Sequence, residues 1–179
     1  MTTTMHHATD VIYVDQIVTP LGNLVAAATS SHLVMLEFPE RRLVPTDSLR
    51  LGDQQFACAE GDSPVLEALR VQLEEYFDGR RTNFDLPLRT PGTEFQQRVW
   101  AELQTIPSGT TTTYSAVAKA IGRPTAVRAV AAANGDNRIA IVIPCHRVIG
   151  ADGKLTGYGG GLWRKQRLLD LEMGTLSLA

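Results

Sequence analysis

The stretch "YSAVAKAIGRPTAVRAVAAANG", residues 114–135, decides the fold of the second half of the chain. Its first nine residues predict a short helix that ends at Gly122, and a second helix begins after Pro124. Two short helices joined by a tight turn that contains glycine are typical of a helix-turn-helix. We therefore expect this motif to organise the C-terminal half.

Other elements of the second half follow from capping residues and apolar runs. Thr93 and Gln96 have the spacing of a capping box, which predicts that a helix starts there. The run "RIAIVI", residues 138–143, predicts a short buried strand or extended segment. A glycine-rich loop over residues 150–161 leads into a last helix that ends at Gly174.

The first half has the pattern of strands followed by one helix. Apolar runs separated by "TPLGN" and "TSS" predict a meander or a set of hairpins. The polar segment 39–55 predicts a loop. Ser63, followed by proline, predicts the start of a helix that Gly79 ends.

A proline-containing linker over residues 80–92 separates the two halves. The sequence therefore predicts two domains. Residues 1–90 form an N-terminal α/β domain with its connecting segment, and residues 91–179 form the second domain.

The composition of the 179 residues is that of a globular protein, with 44% hydrophobic and 20% charged residues. The net charge of −2 hides an asymmetry. Residues 123–167 hold eight basic and two acidic residues, a charge of +6, whereas the rest of the chain carries −8. Such a segment indicates either a solvated charged face or a surface that binds a polyanion.

Cysteine and histidine usage excludes several classes of protein. Cys58 and Cys145 are too few for a disulfide framework or a four-thiolate zinc site, and they fit a reducing cytoplasm. His6, His7 and His32 are too few to indicate a metal. We also expect no signal peptide and no membrane contact, because the chain has neither an apolar leader nor a long apolar run.

The hexapeptide "IPCHRV", residues 143–148, joins a thiol to an imidazole. A free thiol has a pKa of about 8.5, so a nucleophilic cysteine needs a base or a positive neighbour. Successive side chains of an extended chain point in opposite directions. Cys145 and His146 can therefore cooperate only if the backbone turns at Pro144 or a water bridges them; otherwise Cys145 is a small buried hydrophobe.

Six motifs place the chain beside a known family. "TPLGNL", "EYFDG", "GTEFQQRVWAEL", "IPSGTTTTYSAVAKAIGRPTAVRAVAAANGDN", "IAIVIPCHRVIG" and "DGKLTGYGGGLWRKQRLLDLE", with "IPCHRVIG" as active-site signature, follow one another over roughly residues 17–174. In this order they resemble the O6-alkylguanine-DNA alkyltransferases, or methylated-DNA–protein-cysteine methyltransferases.

The resemblance implies an α/β (α+β) fold. Its N-terminal part is a ribonuclease-H-like small sheet with a helix. Its C-terminal part is a helical, winged-helix-like domain that contains the helix-turn-helix and the active-site cysteine.

The resemblance also implies catalytic roles. Cys145 is the alkyl acceptor, and His146 is its base through a water, oriented by Glu172. Asn137 braces the turn before the active-site segment, and Tyr114 donates a proton or hydrogen bond to the guanine O6. These roles require that a base swung out of the duplex can reach the thiol.

The same resemblance implies binding residues. Tyr158, Gly159 and Gly160 line the base pocket, and the backbone of Val148 and Cys145 reads the guanine edge. Arg128 fills the gap left by the flipped nucleotide. The phosphate contacts and the close minor-groove approach are implied for Arg123, Thr125, Ala126 and Ala129.

Two positions depart from the family pattern. Gly159 stands where some members carry a hydroxyl residue, so one donor to O6 is missing or replaced by a backbone N–H. Arg138 stands where many members have proline, and we expect it to face solvent rather than a phosphate. The N-terminal half lacks the cysteines of zinc-containing relatives, so Cys58 is expected to be structural or incidental.

The expected activity is irreversible transfer of an alkyl group from O6-alkylguanine, and from O4-methylthymine, in double-stranded DNA to Cys145. Each molecule acts once, without cofactor or metal, as a cytoplasmic monomer that can cluster cooperatively on DNA. Two alternatives remain: a module that binds the lesion without repairing it, and a thiol hydrolase that uses Cys145, His146 and Glu172 on an acyl substrate.

Overall fold

The computed structural model describes residues 11–40, 45 and 47–176. The first half of the described chain forms a five-stranded sheet with the order β3-β2-β1-β5-β4. Pairing is antiparallel except between β1 and β5, which run parallel. The strands are Ile12–Ile17 (β1), Leu24–Ala28 (β2), Leu33–Glu37 (β3), Ser48–Leu51 (β4) and Gln54–Glu60 (β5).

The predicted strands before residue 38 are confirmed as β1 to β3, but the loop prediction for residues 39–55 is wrong at its C-terminal end. There β4 and β5 form a hairpin around Gly52, whose φ of +62° suits the turn. Leu49 pairs with Phe56, and both Leu49 and Leu51 pack in a small apolar cluster, so these two leucines of the polar segment belong to a strand. Residues 41–44 and 46 of the segment lie outside the described residues.

The predicted N-terminal helix is confirmed as α1, Pro64–Phe77. Ser63 accepts a hydrogen bond from the Leu66 amide at 3.2 Å, and Gly79 follows the helix with a φ of +73°. Leu66 and Leu69 are fully buried and α1 packs against β2, which places the helix on the sheet.

The second half is helical, as predicted, and its elements are α2 (Glu94–Leu103), α3 (Tyr114–Ala120), α4 (Val127–Gly135) and α5 (Leu162–Glu172). The capping box of Thr93 and Gln96 is present at α2. Helices α3 and α4 form the predicted helix-turn-helix and pack on α2, where the Trp100 indole donates to the Ala133 carbonyl at 2.8 Å. Thr112–Thr113 (β6) pairs parallel with Val148–Ile149 (β7).

The prediction of a strand over residues 138–143 is wrong. Ile139 forms one isolated bridge to Leu36 of β3, and the chain then turns, with the Ile143 amide donating to the Ile139 carbonyl at 3.0 Å. Ile141 has a φ of +69°, a strained conformation for a β-branched residue. The run is apolar because it is buried between the two halves, and burial alone does not require an extended backbone.

No helix within the described ranges has both the length and the apolar character needed to cross a membrane. The predicted domain limits at residues 90 and 91 stay a prediction.

Candidate active site

Cys145 lies in a single turn of 3-10 helix, Cys145–Arg147, which starts at Pro144. The Arg147 amide donates to the Pro144 carbonyl at 3.0 Å and closes the turn. The backbone therefore does turn here, and the thiol and imidazole are not on opposite faces of a strand. Cys145 is only 3% exposed, so the thiol is more enclosed than the expected chemistry suggests.

His146 and Glu172 form the buried pair implied by the resemblance. The Nε2 of His146 lies 2.9 Å from the Oε1 of Glu172, and both side chains are almost completely inaccessible. Because an ionised carboxylate only accepts hydrogen bonds, this contact puts the proton of neutral His146 on Nε2. The Nδ1 of His146 is then a buried acceptor, and none of the described residues donates to it.

Glu172 accepts hydrogen bonds from four residues. We call Glu172 and these four donors the Glu172 cluster. The donors besides His146 are the Tyr76 hydroxyl at 2.8 Å, Arg147 Nε and Nη2 at 2.9 Å each, and the Gly109 amide at 3.3 Å. Burial would raise the pKa of Glu172, but its contacts with His146 and Arg147 outweigh burial and lower the pKa. Glu172 is therefore a permanent anion.

The electrostatics of the cluster keep His146 neutral. Burial lowers the pKa of His146, and the charges of Arg147 and Lys165 lower it further, against the opposing pull of Glu172. Arg147 also pairs with both oxygens of Glu172, which compensates the charge of the carboxylate. A neutral imidazole with a free Nδ1 lone pair can accept a proton, which is what a general base requires.

Lys165 is a buried cation whose charge interacts with that of Cys145. It is fully inaccessible, and its Nζ donates to the carbonyls of Val148 at 2.6 Å and Thr156 at 2.8 Å. Burial lowers its pKa to about 8, while the negative charge of Cys145 acts to raise it. By the same attraction, protonated Lys165 favours the thiolate form of Cys145.

Two asparagines hold the turn that leads to Cys145. The side chain of Asn137 donates to the Ile143 carbonyl at 2.9 Å and accepts from the Ile139 amide at 2.9 Å. Asn134, at the end of α4, donates to the Cys145 carbonyl at 3.4 Å. These bonds stabilise the strained turn at Ile141, so the bracing expected of Asn137 matches its position.

The residues expected around the base come from two elements. The pairing of β6 with β7 brings Tyr114, the first residue of α3, beside the segment after Cys145. Its hydroxyl donates to the Thr156 carbonyl at 3.3 Å. Burial raises the pKa of Tyr114, and so does the charge of Cys145, which keeps the phenol protonated.

The glycine-rich loop brings the other expected pocket residues to this side of the molecule. Tyr158 is half-buried, Gly159 is exposed and Gly160 is buried. A Cβ at Gly160 would lie 2.5 Å from Cδ2 of Phe38, so only glycine fits there. The Val148 carbonyl is held by Lys165 as described above.

The expected DNA contacts lie on one side of the helix-turn-helix. Arg123, Thr125, Arg128 and Ala129 are exposed, and Ala126 is half-buried. The opposite side of α4, including Val130 and Ala133, is buried against α2.

The charge pattern overstates the basic surface. Arg147, Arg164 and Lys165 are all buried, so three of the eight basic residues of the segment 123–167 do not face solvent. Arg138 is half-buried and donates to the Arg50 carbonyl at 3.3 Å, so the expectation that it only faces solvent is wrong. Its extra contact joins the two halves of the chain.

Sequence reasoning missed Tyr76, Gly109, Arg147 and Lys165 as members of the site. Tyr76 lies in the quoted motif "EYFDG" and Arg147 directly follows His146, so both carried a signal that was not used. Gly109 has a φ of +75°, and a Cβ there would lie 2.9 Å from the Glu172 carbonyl oxygen. Its role depends on a contact between residues 63 positions apart, which spacing does not reveal.

No cluster of three or more histidine, cysteine or acidic side chains suited to a metal occurs in the part of the chain that the structure describes. Neither Cys58 nor Cys145 forms a disulfide, and Cys58 lies partly buried on β5, where burial raises its pKa. His6 and His7 lie outside the described residues.

The fold and the site define a class of protein in which a ribonuclease-like sheet is joined to a helix-turn-helix half that holds a buried cysteine, histidine and glutamate. Two family descriptions match the chain: the ribonuclease-like domain of 6-O-methylguanine DNA methyltransferase over residues 12–90, and the DNA binding domain of the same family over residues 94–174. The chain belongs to the 6-O-methylguanine DNA methyltransferase family.

Individual relatives agree with this assignment. A methylated-DNA–protein-cysteine methyltransferase of Mycobacterium tuberculosis is 48% identical over 153 residues, which cover 86% of this chain and 87% of that protein. One of Mycolicibacterium paratuberculosis is 64% identical over 101 residues, 56% of this chain and 61% of that relative. The crystal structure of Mycobacterium tuberculosis OGT in complex with DNA superposes with a TM-score of 0.78 at 44% identity, covering 92% of this chain and 93% of that one.

Proposed function

We propose that this protein repairs DNA by transferring the alkyl group of O6-alkylguanine in duplex DNA to Cys145. The observation that carries the proposal is the buried pair of His146, which follows Cys145 in the same turn, and Glu172 at the end of α5, 2.9 Å apart. The name that the relatives share, methylated-DNA–protein-cysteine methyltransferase, supports the same reaction.

The reaction forms a bond between the sulfur of Cys145 and the alkyl carbon, and it breaks the bond between that carbon and O6. The thiol proton passes to Nδ1 of His146, through a water where the two are not in direct contact. The neutral imidazole and the anionic Glu172 suit this step, since the imidazolium that forms is stabilised by the carboxylate. Lys165 supports the thiolate during attack.

The leaving group is guanine, whose O6 receives the electron pair of the broken bond. Tyr114 donates a hydrogen bond or its proton to that oxygen, and its raised pKa keeps the donor available. The backbone of Cys145 and Val148 reads the guanine edge, while Tyr158, Gly159 and Gly160 bound the flat ring.

DNA is held through the exposed side of α4 and the turn before it. Arg128 occupies the gap left by the flipped nucleotide, and Arg123 and Thr125 contact phosphates. Ala126 and Ala129 permit close approach in the minor groove, and alanine offers no base-edge hydrogen bonds, so binding is tolerant of sequence. Because Cys145 is nearly enclosed, a base reaches it only by entering a tight pocket.

The product is a thioether, for which the described site holds no regenerating group, so each molecule acts once. O4-methylthymine is a second substrate of the same pocket, since its alkyl group occupies an equivalent ring position. We assign the protein to the cytoplasm, because a reducing compartment keeps Cys145 as a thiol. It acts on double-stranded DNA as a monomer, without cofactor or metal, and cooperative clustering on DNA stays a prediction.

The test is the intact mass of the protein after incubation with a duplex containing O6-methylguanine. The expected result is a gain of one methyl group per molecule, located on Cys145, that reaches a plateau at one equivalent. Cys145→Ser is expected to bind the same duplex and gain nothing.

Two outcomes would overturn the proposal. Tight binding of the duplex by the wild-type protein with the methyl group left on guanine would indicate a lesion-binding module. Continuous turnover of an activated ester, abolished in Cys145→Ser, would indicate a thiol hydrolase.

A further inference from the structure

Arg164 is a buried arginine that the reaction proposed above does not use. It lies in the first turn of α5 and is 8% exposed. Its Nε donates to the Leu21 carbonyl at 2.8 Å, and its Nη2 lies 2.9 Å from Oε1 of Glu40. Both partners belong to the N-terminal half, so this side chain of α5 is anchored across the boundary between the halves.

The remaining arm of the same guanidinium reaches the glycine-rich loop. Nη1 of Arg164 donates to the Gly160 carbonyl at 3.0 Å. The next residue, Lys165, donates to the Thr156 carbonyl at 2.8 Å. Two adjacent side chains of α5 therefore fix the backbone of the loop on both sides of Tyr158, one before it and one after it.

Phe38 of the N-terminal half completes the support of this loop. The guanidinium carbon of Arg164 lies 4.1 Å from the centre of the Phe38 ring, a stacked arrangement. A Cβ added at Gly160 would lie 2.5 Å from Phe38 and 2.9 Å from Cε1 of Tyr158. Gly160 is thus packed between Phe38 and Tyr158, and the loop has no room to move toward the N-terminal half.

The planar fork of arginine explains why this residue type occupies the position. Three nitrogens of one rigid group serve three partners, Leu21, Gly160 and Glu40, at the same time. A lysine has one nitrogen on a flexible stem and cannot hold all three in one geometry. Charged hydrogen bonds of this kind are about twice as strong as neutral ones.

We propose that Arg164 is a positioning residue that sets the width of the base pocket, and with it the preference between small and bulky alkyl groups. It acts through Gly160 and Tyr158 and uses the N-terminal half as a fixed support. This inference rests on the proposed function, since it concerns the selectivity of the same alkyl transfer. The N-terminal half is then part of the specificity of the reaction rather than a remote domain.

The test compares rate constants for transfer from two duplexes that differ only in carrying O6-methylguanine or O6-benzylguanine. In Arg164→Lys we expect the methyl rate to fall about tenfold, because a displaced wall no longer holds a small group in line for attack. The benzyl rate is expected to fall only about twofold, since a bulky group tolerates a wider pocket. The ratio of benzyl to methyl rates therefore rises about fivefold.

Two further variants serve as a second test and as a control. Glu40→Gln removes the charge of an exposed partner without disturbing the core, and it should shift the ratio in the same direction by a smaller factor of about two. Arg167→Lys, at an exposed position of the same helix, should leave the ratio unchanged.

The ratio separates the possible results. An unchanged ratio in both Arg164→Lys and Glu40→Gln, whether or not both rates fall together, would overturn the role of Arg164 and leave only structural support. A wild-type protein that transfers neither group would instead refute the proposed function itself.

Discussion

The Glu172 cluster and the exposed side of α4 are opposite kinds of functional surface. In the cluster, four residues direct hydrogen bonds to one buried carboxylate. The exposed residues of α4 include three alanines and one arginine, which we call the α4 face: Arg128, Ala129, Ala131 and Ala132. The hydrogen bonds of the Glu172 cluster are made within the protein, whereas the α4 face is exposed to solvent.

The difference follows from burial. A charge removed from water must be paired and hydrogen-bonded, or folding becomes unfavourable by several kcal/mol. The Glu172 cluster therefore has to be assembled before any substrate arrives. An exposed arginine remains hydrated and needs no partner within the protein. The α4 face is therefore accessible to a binding partner. Chemistry and DNA binding should accordingly respond to different mutations.

The largest effect is expected for Glu172→Gln. The amide replaces one acceptor oxygen with an NH₂ donor. This donor faces an N–H of Arg147 or His146, so the side chain can no longer accept hydrogen bonds from both residues. We expect the rate of alkyl transfer to fall about 10⁴-fold, by analogy with the loss of the orienting carboxylate in other triads. Unfolding should become easier by about 3 kcal/mol, because Arg147 is left buried without its anion.

DNA affinity should respond differently from the transfer rate in the same variant. Binding of unmodified duplex by Glu172→Gln should stay within about twofold of wild type, because the α4 face is untouched. Asp170→Asn, on the same helix, is the matched control and should change neither quantity. Within the described part of the chain, the Asp170 side chain accepts from Gln166, and its backbone carbonyl accepts from the amide and hydroxyl of Thr175. A large loss of DNA affinity in Glu172→Gln would break the separation between the two regions.

The next effect concerns Arg128→Ala. If Arg128 fills the gap left by the flipped nucleotide, as proposed above, its loss should cost about 2 kcal/mol, which lowers the rate of transfer from duplex DNA about 30-fold. Transfer from free O6-benzylguanine should be unchanged, since a free base needs no flipping. Rate measurements on both substrates test this.

Arg80→Ala is the control for lost charge, because Arg80 is exposed beyond the end of α1 and, among the residues that the structure describes, its side chain pairs with Asp78 alone. It should affect neither substrate. An equal loss on both substrates in Arg128→Ala would mean that the α4 face contributes to the chemistry as well.

The smallest effect is a pH dependence of stability that comes from Lys165. Its pKa is about 8 in the folded protein against 10.5 as the ordinary value. Between these values the unfolded chain binds more protons, so the free energy of unfolding rises with pH. From pH 8 to 9.5 this group should add about 2 kcal/mol, measured by chemical denaturation.

Lys165→Met should remove that increase, because methionine does not titrate. The α4 face offers the contrasting case, since Arg128→Ala should leave the slope with pH as it is in wild type. If the free energy of unfolding of the wild-type protein falls over this pH range, burial does not lower the pKa of Lys165.

Local signals in the sequence were sufficient for most of the fold. Ser63 and Thr93 start their helices as their side chains predict, and α3, the first helix of the helix-turn-helix, ends just before the predicted Gly122. These elements depend on hydrogen bonds between residues three or four apart, which the order of residues specifies directly. The strand prediction for residues 138–143 was wrong because an apolar run indicates burial and does not specify the backbone conformation.

The sequence by itself determined the helices, the meander of the first half and, through its motifs, the family with Cys145, His146 and Glu172 as a related set. Only the tertiary structure decided that Tyr76 and Gly109 complete the carboxylate's hydrogen bonds, and that Arg164 joins the pocket loop to the N-terminal half. The physical reason is distance along the chain. Tyr76 and Glu172 are 96 positions apart, and no local pattern specifies which buried donor meets which buried acceptor until the core has packed.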